Sequence, residues 1–261
     1  MRSRFALLSA TLVLTAMPIF AQATAPATQE KQPHPKSQKE MDALKKVQAD
    51  VTAQNWSQEI QDINSVLENF VDTDYKSMLL NMAMEAAEKQ GDYAQTVAYG
   101  DQILQSDPNN VIARVSLAQA IARHIRENDL DKDQSIKKVR DYANKALDLT
   151  KNNPPPPPGI AADQWGPYQK QLEGEAHDAL GTADDLGKNY TGAVTEYQAA
   201  YTAFPNPIIL THVAKAYLEN KQYDDAISTD DKVLSDTTAS AQIKQLAQQQ
   251  KDAATKMKGA K

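Results

Sequence analysis

Four histidines, His34, His124, His177 and His212, are the side chains best suited to acid–base work or metal binding in this chain of 261 residues without cysteine. Metal-binding histidines on a helix come as pairs one turn apart, and no two of these have that spacing. His177 and His212 therefore read as packing or surface groups. Paired carboxylates come next, as Asp184-Asp185 and Asp224-Asp225. Neighbouring residues on a helix point about 100° apart, so neither pair converges as two catalytic carboxylates must. The stretch Asp129-Leu130-Asp131-Lys132-Asp133 alternates acids as a calcium loop does. Gln134 stands where that loop needs glycine and Arg140 where it needs a bidentate glutamate, so a solvated loop between two helices is expected. No glycine-rich phosphate loop and no G-x-S-x-G elbow occurs. The expectation is no catalytic residue, no metal and no cofactor. A hydrolase of envelope polymers, working through scattered acids, is the weakest reading of the chain.

The elements that carry these residues begin after an N-terminal segment of another kind. Arg2 and Arg4 precede a mostly apolar run from Phe5 to Phe20, and Ala21-Gln22-Ala23 supplies small residues for a cut. That order is a secretory signal over 1–23, with an uncleaved anchor as the alternative. Cleavage leaves no integral membrane segment and places the protein in the periplasm or outside the cell. It also leaves 26 basic and 34 acidic side chains, a formal charge of −8. Such a balance repels phosphate backbones, so no nucleic-acid partner is expected. Without cysteine, stability has to come from packing alone.

Residues 24–39 are polar and hold Pro26, Pro33 and Pro35, the composition of a disordered leader. Helical periodicity starts near Glu40, and no run alternates as a strand does. One long interruption follows Asn153: Pro154 to Pro158 and then Gly159. Five consecutive prolines take the polyproline II form and span about 15 Å. They serve as a rigid spacer or as a segment that docks into an aromatic groove. The resulting organisation is 40–153 with three repeats, the third carrying an insert near 126–135, then a proline-rich linker over 154–173. Two further repeats and a capping helix fill 174–258.

The repeats are visible in the residues themselves. The clearest copy has Gly181, Tyr190, Ala193, Tyr197, Ala200 and Pro205; the next has Ala214, Tyr223, Ala226 and Val233. Tyr190 and Tyr223 are 33 residues apart. Earlier copies place Trp56 and Tyr93 at the same turn position, and the poorest copy runs from Leu117-Ala118 to Ala146-Leu147. A small residue on the first helix of each pair lets the second approach closely. The aromatic packs over the hinge, and proline ends the second helix. A single pair cannot bury its apolar face, so the pairs must stack.

These residues resemble the tetratricopeptide repeat family over about Glu40 to Ser240. The resemblance implies an all-α fold: a right-handed α-α superhelix, or solenoid, of about five helix-turn-helix repeats plus a C-terminal capping helix. Departures stand at Glu59 and Thr96, where the second helix usually has alanine. Others stand at Gly100 and Asp230, where an aromatic is common. The resemblance also implies a concave binding face built by the first helices. Mapped onto this chain, it comprises Asn81, Glu85, Glu88 and Lys89, then Val115, Gln119, Ala122 and Arg123. Asp178, Thr182 and Asp185 continue it, followed by Thr211, Lys215 and Leu218. Glu85 sits where a carboxylate-gripping family member needs a neutral or basic group, which argues against an anionic peptide tail. The expected function is an exported, non-catalytic scaffold for a protein or peptide. The alternative is a self-assembling envelope protein, a homo-oligomer using Trp165 and Tyr168.

Overall fold

The computed structural model describes residues 33–152, 154–157 and 160–260. The signal segment and residues 24–32 of the leader lie outside the described residues. Among the described residues eleven α-helices follow one another and no strand occurs, so the all-α repeat fold expected from the sequence is the fold observed. The five pairs are α1 (Gln38–Ala53) with α2 (Trp56–Asn69), α3 (Lys76–Gln90) with α4 (Tyr93–Ser106), α5 (Val111–His124) with α6 (Lys132–Thr150), α7 (Ala162–Leu186) with α8 (Tyr190–Ala203), and α9 (Pro207–Glu219) with α10 (Tyr223–Ser235). The last helix, α11 (Ala241–Gly259), packs on α9 and α10 as a cap.

The chain divides into two units, each with its own contacts. One comprises the described residues up to Ile103 together with 155–162; in it α2 packs on both α1 and α3. The other comprises 104–154 and the chain from Asp163 on; there α5 packs on α6, α8 on α9 and α9 on α10.

Four of the five hairpins share one hinge. Gln54, Gly91, Lys188 and Lys221 take the left-handed conformation, with φ of 55°, 71°, 61° and 61°. The N–H of the following residue then reaches back five residues: Asn55 to the Asp50 carbonyl and Asp92 to Ala87, both at 2.9 Å, and Asn189 to Asp184 and Gln222 to Tyr217, both at 2.8 Å. This closure satisfies carbonyls left over at the end of the first helix. The next residue in every case is the turn aromatic, Trp56, Tyr93, Tyr190 or Tyr223, which opens the second helix. Asn55, Asp92 and Asn189 also cap that helix through a side-chain oxygen that accepts a backbone N–H three residues on. Only Gly91 meets the left-handed requirement without strain. Gly91→Ala is therefore expected to cost about 1 kcal/mol, and Lys188→Gly to gain about 0.5 kcal/mol, since relief of strain there exceeds the entropy of added glycine. Thermal unfolding of the two variants should shift in opposite directions; a shift of the same sign in both would remove this account of the hinge.

Close approach is most pronounced in the α7–α8 pair. A methyl group at Gly181 would sit 2.6 Å from the Tyr197 ring, and one at Gly174 would sit 2.6 Å from the Phe204 Cβ. The small residue read from the sequence at Gly181 is thus a steric requirement, and Gly174 is a second one.

Three segments differ from the sequence expectation. The helix α1 begins at Gln38, within the stretch read as leader, because Ser37 accepts the Glu40 N–H and Tyr75 donates its hydroxyl to the Pro33 carbonyl at 3.1 Å. The helix α7 begins at Ala162, within the stretch read as linker, and contains Pro167. Trp165 is buried and donates its indole N–H to the Pro154 carbonyl at 2.6 Å, with the Tyr168 ring 6.0 Å away. It anchors the start of the proline run inside its own chain, which withdraws it as a contact for self-assembly. Asp129 and Asp131 stay in the loop before α6, whereas Lys132 and Asp133 open that helix. The loop is held by its own groups: Arg126 donates to the Arg123 and His124 carbonyls, and its N–H donates to the Asp129 carboxylate at 2.7 Å.

Candidate functional site

In the unit that starts at Leu104, the first helices are tied to one another by side chains. Asp178 on α7 meets His212 Nδ1 on α9 at 2.7 Å, and Asp185 pairs with Lys215 on the same two helices. The spacing explains the first of these. Asp178 and His212 are 34 residues apart, one more than the Tyr190-to-Tyr223 period, so His212 lies one position past the equivalent of Asp178 on the next first helix. His212 also lies 5.3 Å from the Tyr197 ring, centroid to centroid. Thr182 donates to the Asp178 carbonyl at 3.0 Å, and its hydroxyl lies 3.1 Å from the Tyr197 hydroxyl. On the other side of α7, His177 meets Glu196 of α8 at 2.7 Å and Arg140 of α6 meets Asp184 at 2.7 Å. Gln119 of α5 donates to the Glu175 carbonyl at 3.3 Å and receives a hydrogen bond from Arg123. This surface is therefore a row of short-range pairs in which most charge is already balanced.

Three of the residues mapped to this face lie in the interior instead. Val115 is 1% exposed and Thr211 is 0% exposed, and the Thr211 hydroxyl donates to the Ile208 carbonyl at 2.6 Å. Ala122 is buried with them. A first helix is covered both by its own partner and by a neighbouring pair, so its free stripe is narrower than the family pattern suggests. Gln119, Arg123, Asp178, Thr182, Asp185, Lys215 and Leu218 keep some exposure. His212 is the residue that sequence reasoning undervalued. Laying the copies over one another at the 33-residue period puts Thr211 opposite Asp178, with His212 the next residue along.

The unit that ends at Ile103 presents a different face. On α3, Glu85 and Lys89 are exposed and Asn81 and Glu88 are half-buried. Asn81 donates to the Ser77 carbonyl at 2.8 Å, but its Oδ1 is buried without a hydrogen-bond partner. Beside this helix, on α2, Glu59 is 3% exposed, and its Oε2 is also buried without a partner. Burial, reinforced by the negative charges of Glu85 and Asp50, pushes the Glu59 carboxyl up to about 7. Asp50 is likewise held above the ordinary carboxylate range, by burial and by Asp62, with which it shares a hydrogen bond. Sequence reading marked Glu59 as an odd residue for its place; it could not show that the nearest charges are also negative.

Among the described residues no helix is long and apolar enough to cross a membrane. No family model and no curated protein matches the chain. Among solved structures, the chain is similar to a thermophilic TPR protein of Thermus thermophilus, at 13% identity over 81% of this chain and 98% of that one, with a TM-score of 0.57. It is also similar to the MamA RS-1 ArsTM double mutant, at 14% identity over 84% of this chain and 99% of that one, with a TM-score of 0.55. At such identities the likeness is one of fold, and that fold is the tetratricopeptide repeat fold.

Proposed function

We propose that this chain is an exported, non-catalytic scaffold that binds a protein or peptide through the first-helix faces of its repeats, in the periplasm or outside the cell. The observation that carries the reading is the repeated hinge. Four hairpins close with a left-handed residue at the same place, the same backward hydrogen bond and an aromatic next in line, so within each unit successive first helices present equivalent positions. Repeats of this kind build extended faces for partners rather than a single reaction centre. The apolar run behind Arg2 and Arg4 supports export.

The test is retrieval of partners from an envelope extract by the processed chain and by a variant with Arg123→Glu and Lys215→Glu. These positions are exposed, so the variant keeps its fold, and far-ultraviolet circular dichroism verifies that. The wild type is expected to retain a defined set of proteins that the variant loses in part. Identical sets, or none, would count against binding through these helices.

Self-association is the second reading. Leu246 and Met257 are exposed on the capping helix α11, which gives the end of the array an apolar component. Sedimentation at several concentrations separates the readings, because a strictly monomeric chain rules this one out.

A further inference from the structure

The unit that ends at Ile103 gathers acids on neighbouring helices, of which Asp62 accepts from the Gln58 amide at 3.1 Å while Glu59 keeps a buried oxygen without a donor. Its helices α1, α2 and α3 pack side by side, and each contributes to one acidic group: Asp50 from α1, Glu59 and Asp62 from α2, Glu85 from α3. Two unpartnered oxygens accompany it, Glu59 Oε2 and Asn81 Oδ1. Asn81 and Glu85 stand one turn apart on α3 and so share a face. The charges acting on Glu59 among the described residues are the acids Glu85 and Asp50. Burial pushes the Glu85 carboxyl above the ordinary carboxylate range, and Lys89, one turn beyond it, works against that. Glu85 is the exposed edge of the group, and the Glu59 and Asn81 oxygens lie buried behind it.

A buried carboxylate oxygen without a donor is costly unless something supplies one. A metal ion is a poor candidate, because among the described residues no three acidic or histidine side chains lie close enough together to hold one. Acceptors spread over three helices suit a wider, planar donor. The guanidinium group carries five N–H donors, is weakly hydrated and so costs less to desolvate beside a buried acid than an ammonium. We infer that the face formed by Asp50, Glu59, Asn81 and Glu85 is a subsite for an arginine side chain of a basic partner peptide. The inference rests on the scaffold reading above and gives that scaffold the chemistry of its partner.

The experiment uses a fluorescein-labelled octapeptide of alternating serine and arginine, with lysine and glutamate versions alongside, titrated by anisotropy against the whole processed chain at about 0.15 M salt, where long-range attraction is screened. The arginine peptide is expected to bind best and the glutamate peptide not at all. Glu59→Gln and Glu85→Gln are each expected to weaken arginine-peptide binding about tenfold. Glu68→Gln, which removes an exposed charge from the same α2, should change it less than about twofold. Should Glu59→Gln unfold, Glu85→Gln alone decides, since that side chain is exposed. Equal losses in all three variants mean general attraction to an acidic chain and overturn the subsite, as does failure of the wild type to bind the arginine peptide. In that event the partner retrieval described above separates the two ideas: partners retained means the subsite alone is wrong, and none retained means the scaffold reading falls with it.

Discussion

Replacing Tyr197 with alanine should lower the free energy of unfolding by about 4 kcal/mol, within the range found when a fully packed aromatic is truncated. The ring is buried and lies against the α7 backbone at Gly181, close enough that an added methyl there would be 2.6 Å from it. Its hydroxyl is matched by Thr182, and burial pushes the phenol well above its ordinary range. The loss therefore combines a cavity with an orphaned hydroxyl on Thr182. A paired substitution makes the argument sharper. In the wild-type background Gly181→Ala should cost about 1–2 kcal/mol, because overpacking outweighs the gain of about 1 kcal/mol in helix propensity. With Tyr197→Ala already present, the obstacle is gone and Gly181→Ala should stabilise. A double-mutant cycle by urea unfolding reads the change of sign directly. Additive effects would mean that the two residues do not meet as described.

Stability of the wild type should also fall as pH rises from about 4 to 7, and Asp230→Asn should remove most of that slope. Asp230 is 0% exposed and neither carboxylate oxygen has a hydrogen-bond partner. It stands seven residues after Tyr223, the place that Tyr197 takes after Tyr190. Burial, helped by Asp231, pushes its carboxyl up to about 7, against a weaker opposing effect of Lys251, whose ammonium is engaged with Asp231 at 2.6 Å. The sign follows from proton binding. Between the ordinary aspartate value and about 7 the unfolded chain is ionised at this residue while the folded chain keeps its proton. Each pH unit in that window costs about 1.4 kcal/mol, and the loss levels off above it. Between pH 4.5 and pH 8 the wild type should thus lose about 3 kcal/mol more than Asp230→Asn. Glu59 adds an effect of the same sign from the other unit. Below about pH 4 the trend reverses, as groups such as Asp92, held low by the Gln95 N–H, and Glu127, held low by Lys132, take up protons. Denaturation curves at the two pH values for both proteins decide the matter, and parallel pH dependence would remove Asp230 from the explanation.

The hinges were legible in the sequence because they depend on local chemistry. The aromatic at Trp56, Tyr93, Tyr190 and Tyr223, preceded by a polar residue, marks the bend whatever else surrounds it. The steric role of Gly181 was legible for the same reason. The two buried acids were visible as departures, Glu59 in an alanine place and Asp230 in an aromatic one. Their effect was not, since it depends on which charges the neighbouring helices bring close. The free face of each first helix was harder still. Val115 and Thr211 have the spacing of surface positions, and only the packing of neighbouring helices shows that they are covered. The start of α7 was hidden by Pro167, which reads as a break; the anchoring of Trp165 on Pro154 depends on a contact across eleven positions that periodicity cannot register.

Whether partners meet the first helices is the point on which the functional reading turns, and a photo-reactive amino acid placed by position can answer it. Incorporated at Asn81 and at Leu218, on first helices, it should yield covalent adducts with a partner upon illumination in an envelope extract. Incorporated at Asp101 and at Ser228, exposed on second helices, it should yield none. Adducts arising from Asp101 and Ser228 but not from Asn81 and Leu218 would contradict the proposal outright.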